Sequence, residues 1–103
     1  MMEADDAAAG RGWTFLTNPA HVLVVVRRDP HARLREIADA VGVTERAVQL
    51  ILGDLESAGY VRRTRVGRRN EYHVLGGPLR HPLDQGRTVD DVLDVLGDDA
   101  QQT

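Results

Sequence analysis

The chain has 103 residues, a formal net charge of −3 and no cysteine. This length suits one domain with a modest hydrophobic core. The absence of cysteine excludes disulfide bonds, thiolate metal sites and thiol nucleophiles. The longest apolar run, Val22 to Val26, is far too short to cross a bilayer, and residues 1–12 are acidic and alanine-rich, unlike a secretory signal. We therefore expect a cytoplasmic location.

Positive charge is concentrated in the middle of the chain. Residues 27–73 hold ten arginines and seven acidic residues, whereas the rest of the chain holds three arginines and nine acidic residues. Every basic residue is arginine, whose planar guanidinium suits phosphates and guanine edges better than the lysine ammonium does. An arginine preference in a GC-rich genome is the alternative explanation. The distribution nevertheless favours a nucleic-acid partner despite the negative net charge.

The chain is predicted to open with a flexible arm over residues 1–12. Three large apolar residues follow, and we expect them to pack back on the domain: Trp13, Phe15 and Leu16.

The first helix is predicted from its ends. Asn18 can cap it, Pro19 fits the first helical position, and Asp29-Pro30 ends it. The β-branched run Val22 to Val26 would suit a strand by propensity, but the end signals favour a helix. Because this helix is apolar on nearly all sides, we expect one side to meet the core and another to meet a second subunit. A central helix in a monomer is the alternative.

Two further helices follow, joined by a short turn. Residues 31–33 form a short link for which a brief strand is an alternative, and apolar residues at helical spacing then predict a helix from Leu34 to Val41. Gly42 and Val43 form the turn, and Thr44 caps a third helix that ends at Gly59. The order helix, three-residue turn, helix is typical of a helix-turn-helix, whose second helix lies in the DNA major groove.

The outer face of the third helix carries residues suited to reading bases. Arg46 can bind guanine, Gln49 adenine and Glu45 cytosine, while Leu50 can touch a thymine methyl group. Thr44 and the positive helix N-terminus suit a phosphate. An ordinary solvated helix face, without DNA contact, is the alternative. Gly53 in the middle of the helix indicates either that the helix backbone closely approaches a partner or that a neutral substitution has been tolerated there. The predicted contact residues are Thr44, Glu45, Arg46, Gln49, Leu50 and Gly53.

Residues 60–65 and 70–75 are predicted to form two strands with Gly67-Arg68 as a type II′ turn. This register pairs Val61 with Val74 and Arg63 with Tyr72, so that Val61, Tyr72 and Val74 pack on the third helix. Five arginines and one acidic residue lie between residues 60 and 73, a density that favours phosphate contact over a merely solvated surface.

These residues together resemble the winged helix-turn-helix of bacterial and archaeal regulators of the ArsR and MarR type. The resemblance rests on residues 34–48, 55–61 and 67–72, and it covers roughly residues 18 to 75. It implies a mainly α fold with a small β-hairpin (α+β), a three-helix core, a wing, and a homodimer on a near-palindromic operator. The wing residues it implies are Arg62, Arg63, Arg65, Arg68, Arg69 and Asn70. Metal-sensing relatives carry cysteines or histidine clusters, so thiolate metal sensing is excluded here.

A last helix is predicted after an irregular stretch that contains Pro78 and Pro82. Thr88 caps it, and its short apolar stripe must pack on the first helix or on a partner subunit. We therefore predict a DNA-binding domain over 13–75, a dimerisation segment over 76–97 and an acidic tail over 98–103. The predicted dimer contacts are Val22, Val25, Val89, Val92, Leu93 and Leu96.

Catalysis and metal binding find no support in the sequence. The four histidines share no metal-ligand spacing, and Ser57 is the single serine, so we expect neither an enzyme nor a bound cofactor. The residues favour a dimeric repressor that binds double-stranded DNA. A winged helix that binds another protein is the alternative, and no residue indicates an effector ligand.

Overall fold

The structure, a computed structural model, describes residues 12–97. The predicted arm up to residue 11 and the acidic tail at 98–103 lie outside the described residues. The elements in chain order are α1 (Asn18–Arg28), α2 (Leu34–Val41), α3 (Glu45–Ser57), β1 (Val61–Val66), β2 (Arg69–Val74), a 3-10 turn (Pro82–Asp84) and α4 (Val89–Leu96). This mainly α architecture with one hairpin confirms the predicted fold class.

Helix α1 forms where the sequence predicts a helix, but its cap is one residue earlier. The Thr17 hydroxyl, not the Asn18 amide, accepts a hydrogen bond from the Ala20 N–H at 3.4 Å, and Asn18 is already helical. A threonine oxygen is as suitable a cap as an asparagine oxygen, so residue type alone did not distinguish the neighbours. The β-branched run is helical because Val22 and Val26 bury their side chains on one face.

The helix-turn-helix has the predicted boundaries. Gly42 ends α2 in the left-handed region with φ 91°, and the Thr44 hydroxyl accepts from the Ala47 N–H at 3.0 Å to begin α3. After α3, Gly59 is again left-handed, and the Tyr60 N–H donates to the Leu55 carbonyl at 2.8 Å. No strand forms in the link before α2. Its Arg33 precedes the helix, and the Glu36 carboxylate accepts from the Arg33 N–H.

The hairpin from Val61 to Val74, called the wing below, has the predicted register. Val61 pairs with Val74 and Arg63 with Tyr72. Gly67 has φ 64°, the positive value that a type II′ turn needs at its first central position. Strand β1 lies beside α3, whereas β2 lies beside α1. The prediction that Tyr72 and Val74 pack on the third helix is therefore corrected, because both lie beside Val26 of α1.

The hydrophobic core surrounds α1, which contacts α2, α3, β2 and α4. The core residues are Val22, Leu23, Val26, Ala32, Ile37, Ala38, Val41, Val48, Leu52, Val61, Tyr72 and Leu93. Two predicted dimer contacts, Val22 at 0% and Leu93 at 2% exposure, therefore face the chain's own core. The prediction for these two is corrected: periodicity identifies an apolar face but not what covers it.

Helix α4 packs on α1 of the same chain. The Arg27 guanidinium contacts the Asp94 carboxylate at 2.6 Å, and the Arg28 guanidinium donates to the Leu96 carbonyl at 3.4 Å. The Thr88 N–H donates to the Asp91 carboxylate at the start of the helix, and this hydrogen bond lowers the pKa of Asp91. The sequence predicted that α4 packs either on α1 or on a partner subunit, and in the structure it packs on α1 of its own chain.

The aromatic residues before α1 do not pack on the domain. Trp13 is 72% exposed and Phe15 is 90% exposed, and their rings meet only edge to face with centroids 4.8 Å apart. The prediction that they fold back is wrong, because α2, α3, β2 and α4 already cover the buried face of α1. Leu16 is half-buried.

We predict that two identical substitutions have opposite effects on stability. At Gly53, within α3, an added Cβ meets no atom within 4 Å, so Gly53→Ala should raise the free energy of unfolding by about 0.5–1 kcal/mol. An added Cβ at Gly67 also meets no atom within 4 Å, but the backbone there has positive φ, so Gly67→Ala should lower the free energy of unfolding by about 1 kcal/mol. Urea denaturation measures both, and a change of the same sign in the two variants would contradict the described backbone.

Candidate nucleic-acid interface

The outer face of α3 is open to solvent over all six residues predicted to contact bases. Val48 and Leu52 turn into the core, and this leaves Thr44, Glu45, Arg46, Gln49, Leu50 and Gly53 exposed. Leu50 is 59% exposed, a large apolar side chain beside Arg46 on the helix surface. Within residues 12–97, the side chains of Arg46 and Gln49 make no hydrogen bond or ion pair, so their donors are available to a ligand.

The wing arginines divide into two groups. The Arg69 guanidinium donates to the His31 carbonyl at 2.7 Å, and the Arg63 guanidinium lies 3.7 Å from the Glu56 carboxylate of α3. These two hold the wing against the domain. By contrast, Arg62 and Arg68 pair with no carboxylate among residues 12–97, and Arg65 donates only to the Gly67 carbonyl of its own turn.

A cleft of about 400 Å³ joins the wing to the helix-turn-helix. We call it the basic cleft. Its charged or titratable lining residues are His31, Arg33, Arg35, Glu45, Arg68 and Arg69. Glu45 begins α3 and Arg68 is at the wing tip, so the two predicted contact regions share one side of the molecule. Four arginines against one glutamate make the cleft strongly positive, as a phosphate backbone requires.

Arg33 and Arg35 are contact candidates that sequence reasoning did not select. Both stand at the start of α2, and the sequence showed only that they belong to its polar side. The sequence did offer one indication, because two arginines at a helix N-terminus are unfavourable for the helix dipole and therefore suggest a role outside the helix. Their position opposite Arg68 depends on how the wing folds over residues 30–33, which no local pattern predicts.

The wing base is fastened to the loop before α2. The Tyr72 N–H donates to the Pro30 carbonyl at 2.9 Å, in addition to the bond from Arg69 to His31. Glu71 contacts two imidazoles: it is hydrogen-bonded to His73 Nε2 at 3.1 Å through one carboxylate oxygen, and its other oxygen lies 3.2 Å from His31 Nε2. The wing therefore has a defined direction relative to α3.

A second, mostly apolar cavity of about 310 Å³ lies behind α3, between α1, α4 and residues 78–80, and we call it the rear cavity. Ile51 and Leu55 of α3 line one wall, and Ala20 and Leu23 of α1 line another. Arg80 and Asp54 are its charged lining residues. The rear cavity and the exposed outer face of α3 thus belong to opposite sides of one helix.

Neither a metal centre nor a membrane span is found in residues 12–97. No cluster of histidine and carboxylate side chains there is arranged to hold a metal ion. No helix there is long and apolar enough to cross a membrane.

Comparison with known proteins agrees with this geometry. A family model described as winged helix-turn-helix DNA-binding matches residues 21–62, from α1 to the start of the wing. The chain is also similar to the crystal structure of a MarR family protein of Mycobacterium tuberculosis in complex with salicylic acid. The identity is 26% and the TM-score 0.50, over 78% of this chain and 59% of that one. No curated protein matches significantly. The predicted resemblance to a winged helix-turn-helix is confirmed.

Proposed function

We propose that this chain, which carries a winged helix-turn-helix DNA-binding domain of the MarR type, regulates transcription by binding double-stranded DNA with α3 in the major groove and the wing on the backbone. The observation that carries the proposal is the basic cleft. Glu45 and Arg68 line it together, so one duplex can touch the recognition helix and the wing tip at once. We place the protein in the cytoplasm or on the nucleoid.

The contacts divide into base reading and backbone positioning. Arg46 and Gln49 are exposed and have no side-chain partner within residues 12–97, so they would bind guanine and adenine edges, and exposed Leu50 would touch a thymine methyl group. Arg62, Arg68 and the cleft residues Arg33 and Arg35 face the phosphates. Arg63 and Arg69 contribute mainly by holding the wing, because each already has a partner in the protein.

We further propose a homodimer that represses by occupying a near-palindromic operator. Apolar side chains remain exposed beside α1 although its inner face is covered. One cleft runs along α1 from Thr14 to Arg28, and Arg28 contacts the last turn of α4. Trp13 and Phe15 are exposed just before α1, and Val95 is 86% exposed near the end of α4. A second copy that covers this side would bury these groups and half-buried Val25.

The rear cavity is our candidate effector site. Its volume and apolar lining fit a small aromatic ligand, with Arg80 as the cation for a carboxylate. The structurally similar MarR family protein was solved with salicylic acid, which makes that compound the first probe. A ligand against Ile51 and Leu55 would touch the back of α3, so a shift of this helix would link ligand binding to DNA binding.

We predict that DNA binding falls steeply with salt. Arg68→Ala should weaken binding to all sequences and reduce the slope of log K against log salt by about 1. Arg46→Ala should cost about 1–3 kcal/mol on the preferred site and relax selection at one base pair. Binding-site selection from random DNA followed by fluorescence anisotropy measures both effects.

The matched control is Arg87→Ala, an exposed arginine outside the basic cleft, which should leave the salt slope unchanged. A flat response of the original chain to salt would contradict the proposed function. Protein partners captured from nuclease-treated lysate, without DNA retardation, would favour the protein-binding alternative instead.

We predict that Val95→Asp weakens self-association at least about tenfold, because a charge would be buried in an apolar interface. Sedimentation velocity over a concentration series measures the effect. Leu83→Asp is the control, since Leu83 is 82% exposed on the 3-10 turn and its substitution should leave association unchanged. A chain that stays monomeric at all concentrations contradicts the dimer.

We predict that salicylate stabilises the fold and weakens DNA binding. At a concentration of 100 times its Kd it should add about 2.7 kcal/mol to the free energy of unfolding. Ala20→Leu should abolish the stabilisation by filling the rear cavity. The control is Ala40→Leu: Ala40 lines the cleft along α1 instead, so this variant should still be stabilised by salicylate. Equal stabilisation of both variants would exclude the rear cavity as the site.

A further inference from the structure

The side chains of His31, Glu71 and His73 form a titratable group at the wing base. His31 comes from the loop before α2, whereas Glu71 and His73 come from β2, so the group joins two parts of the interface. Each imidazole contacts a different oxygen of the one carboxylate, at 3.2 Å and 3.1 Å. Glu71 is the single acidic residue between residues 60 and 73. The sole negative charge of the wing is thus held between two groups that can become positive.

This group lies next to the path proposed for the phosphates. His31 lines the basic cleft together with Arg68 and Arg69, and its side chain is 53% exposed. The side chain of His73 is 39% exposed, and His73 is the cross-strand partner of Arg62 in the hairpin. A proton gained by either imidazole therefore adds positive charge beside guanidinium groups that have no carboxylate partner within residues 12–97.

We propose that His31 and His73 make DNA binding depend on pH, so that the affinity for duplex DNA rises as the pH falls from about 8 to about 6, the range in which imidazoles gain a proton. The inference rests on the proposed function, because His31 lines the basic cleft and His73 contacts the same Glu71 carboxylate as His31. It adds a regulatory input that neither the fold nor the base-reading residues require.

The charges around the group determine the sign of the effect. On His31, the backbone N–H already donates to Asp29, and the cleft beyond it is lined mostly by arginines. Around His73, Arg62 lies across the hairpin, and Arg27 and Asp90 line the adjacent cleft. Around His31, Asp29 accepts from the backbone N–H. The other charged residues of the basic cleft that His31 lines are Arg33, Arg35, Glu45, Arg68 and Arg69. The phosphates of a bound duplex would add negative charge beside both imidazoles, and negative charge favours the protonated form of an imidazole. DNA binding should therefore be accompanied by proton uptake.

The hydrogen bonds themselves do not require protonation. A neutral His73 with its proton on Nε2 still donates to Glu71. The bonds from Tyr72 to the Pro30 carbonyl and from Arg69 to the His31 carbonyl involve no imidazole, so the wing base stays fastened at high pH. What changes with pH is the charge beside the duplex. A unit charge about 7 Å from a phosphate in water contributes roughly a threefold change in affinity, and two such charges contribute about tenfold.

The test measures the affinity of the full chain for a labelled mixed-sequence duplex of about 20 base pairs at pH 8 and pH 6, at one ionic strength. We expect about tenfold tighter binding at pH 6. In the double variant His31→Gln, His73→Gln, the amides can still donate to Glu71, and the ratio should fall close to one. The control His21→Gln, in the cleft along α1, should keep the full ratio.

Calorimetry in two buffers of different ionisation enthalpy supplies a second readout. Wild type should take up protons on binding DNA at pH 7, and the double variant should take up fewer. Thermal unfolding confirms that each variant is folded before affinities are compared. Binding by wild type without a pH response, or a response that survives in the folded double variant, overturns the inference. Failure of wild type to bind DNA at either pH instead contradicts the proposed function.

Discussion

Helix α1 buries Val22, Leu23 and Val26 at the place where α2, α3, β2 and α4 meet. Because one helix packs on all four elements, it sets their positions relative to one another. Helix α3 lies on one side of it and the wing strand β2 on another, so the angle between the two candidate DNA contacts is fixed in the core. The apolar character that suggested a strand or a subunit interface is explained by this central position.

The interface uses its arginines for two purposes. Arg69 and Arg63 bind groups of the protein itself and give the wing a direction, while Arg62 and Arg68 keep their guanidinium groups open to solvent. A flexible wing would have to be ordered on binding, and ordering costs conformational entropy. Fastening its base through the loop at Pro30 and His31 avoids part of that cost. It also brings a carboxylate and two imidazoles next to the phosphate path.

A single helix, α3, connects the proposed base contacts with the proposed effector site. Its outer face presents Arg46 and Gln49, its buried face supplies Val48 and Leu52 to the core, and its rear wall closes the rear cavity with Ile51 and Leu55. A helix is rigid over this length, so a ligand on one side can move the other side only by shifting the whole element. Under the proposed function, an effector in the rear cavity would act by shifting α3 as a whole.

The sequence by itself determined the features that local chemistry controls. Thr44, Gly42 and Gly59 bound the helices through capping bonds and positive φ, and the alternation of Val61, Tyr72 and Val74 set the hairpin register. Only the tertiary structure decided what covers each apolar face and which charges meet. It placed Val22 in the core, left Trp13 in solvent and brought Arg35 opposite Arg68. These outcomes depend on contacts between residues far apart in the chain, and periodicity and capping carry no information about them.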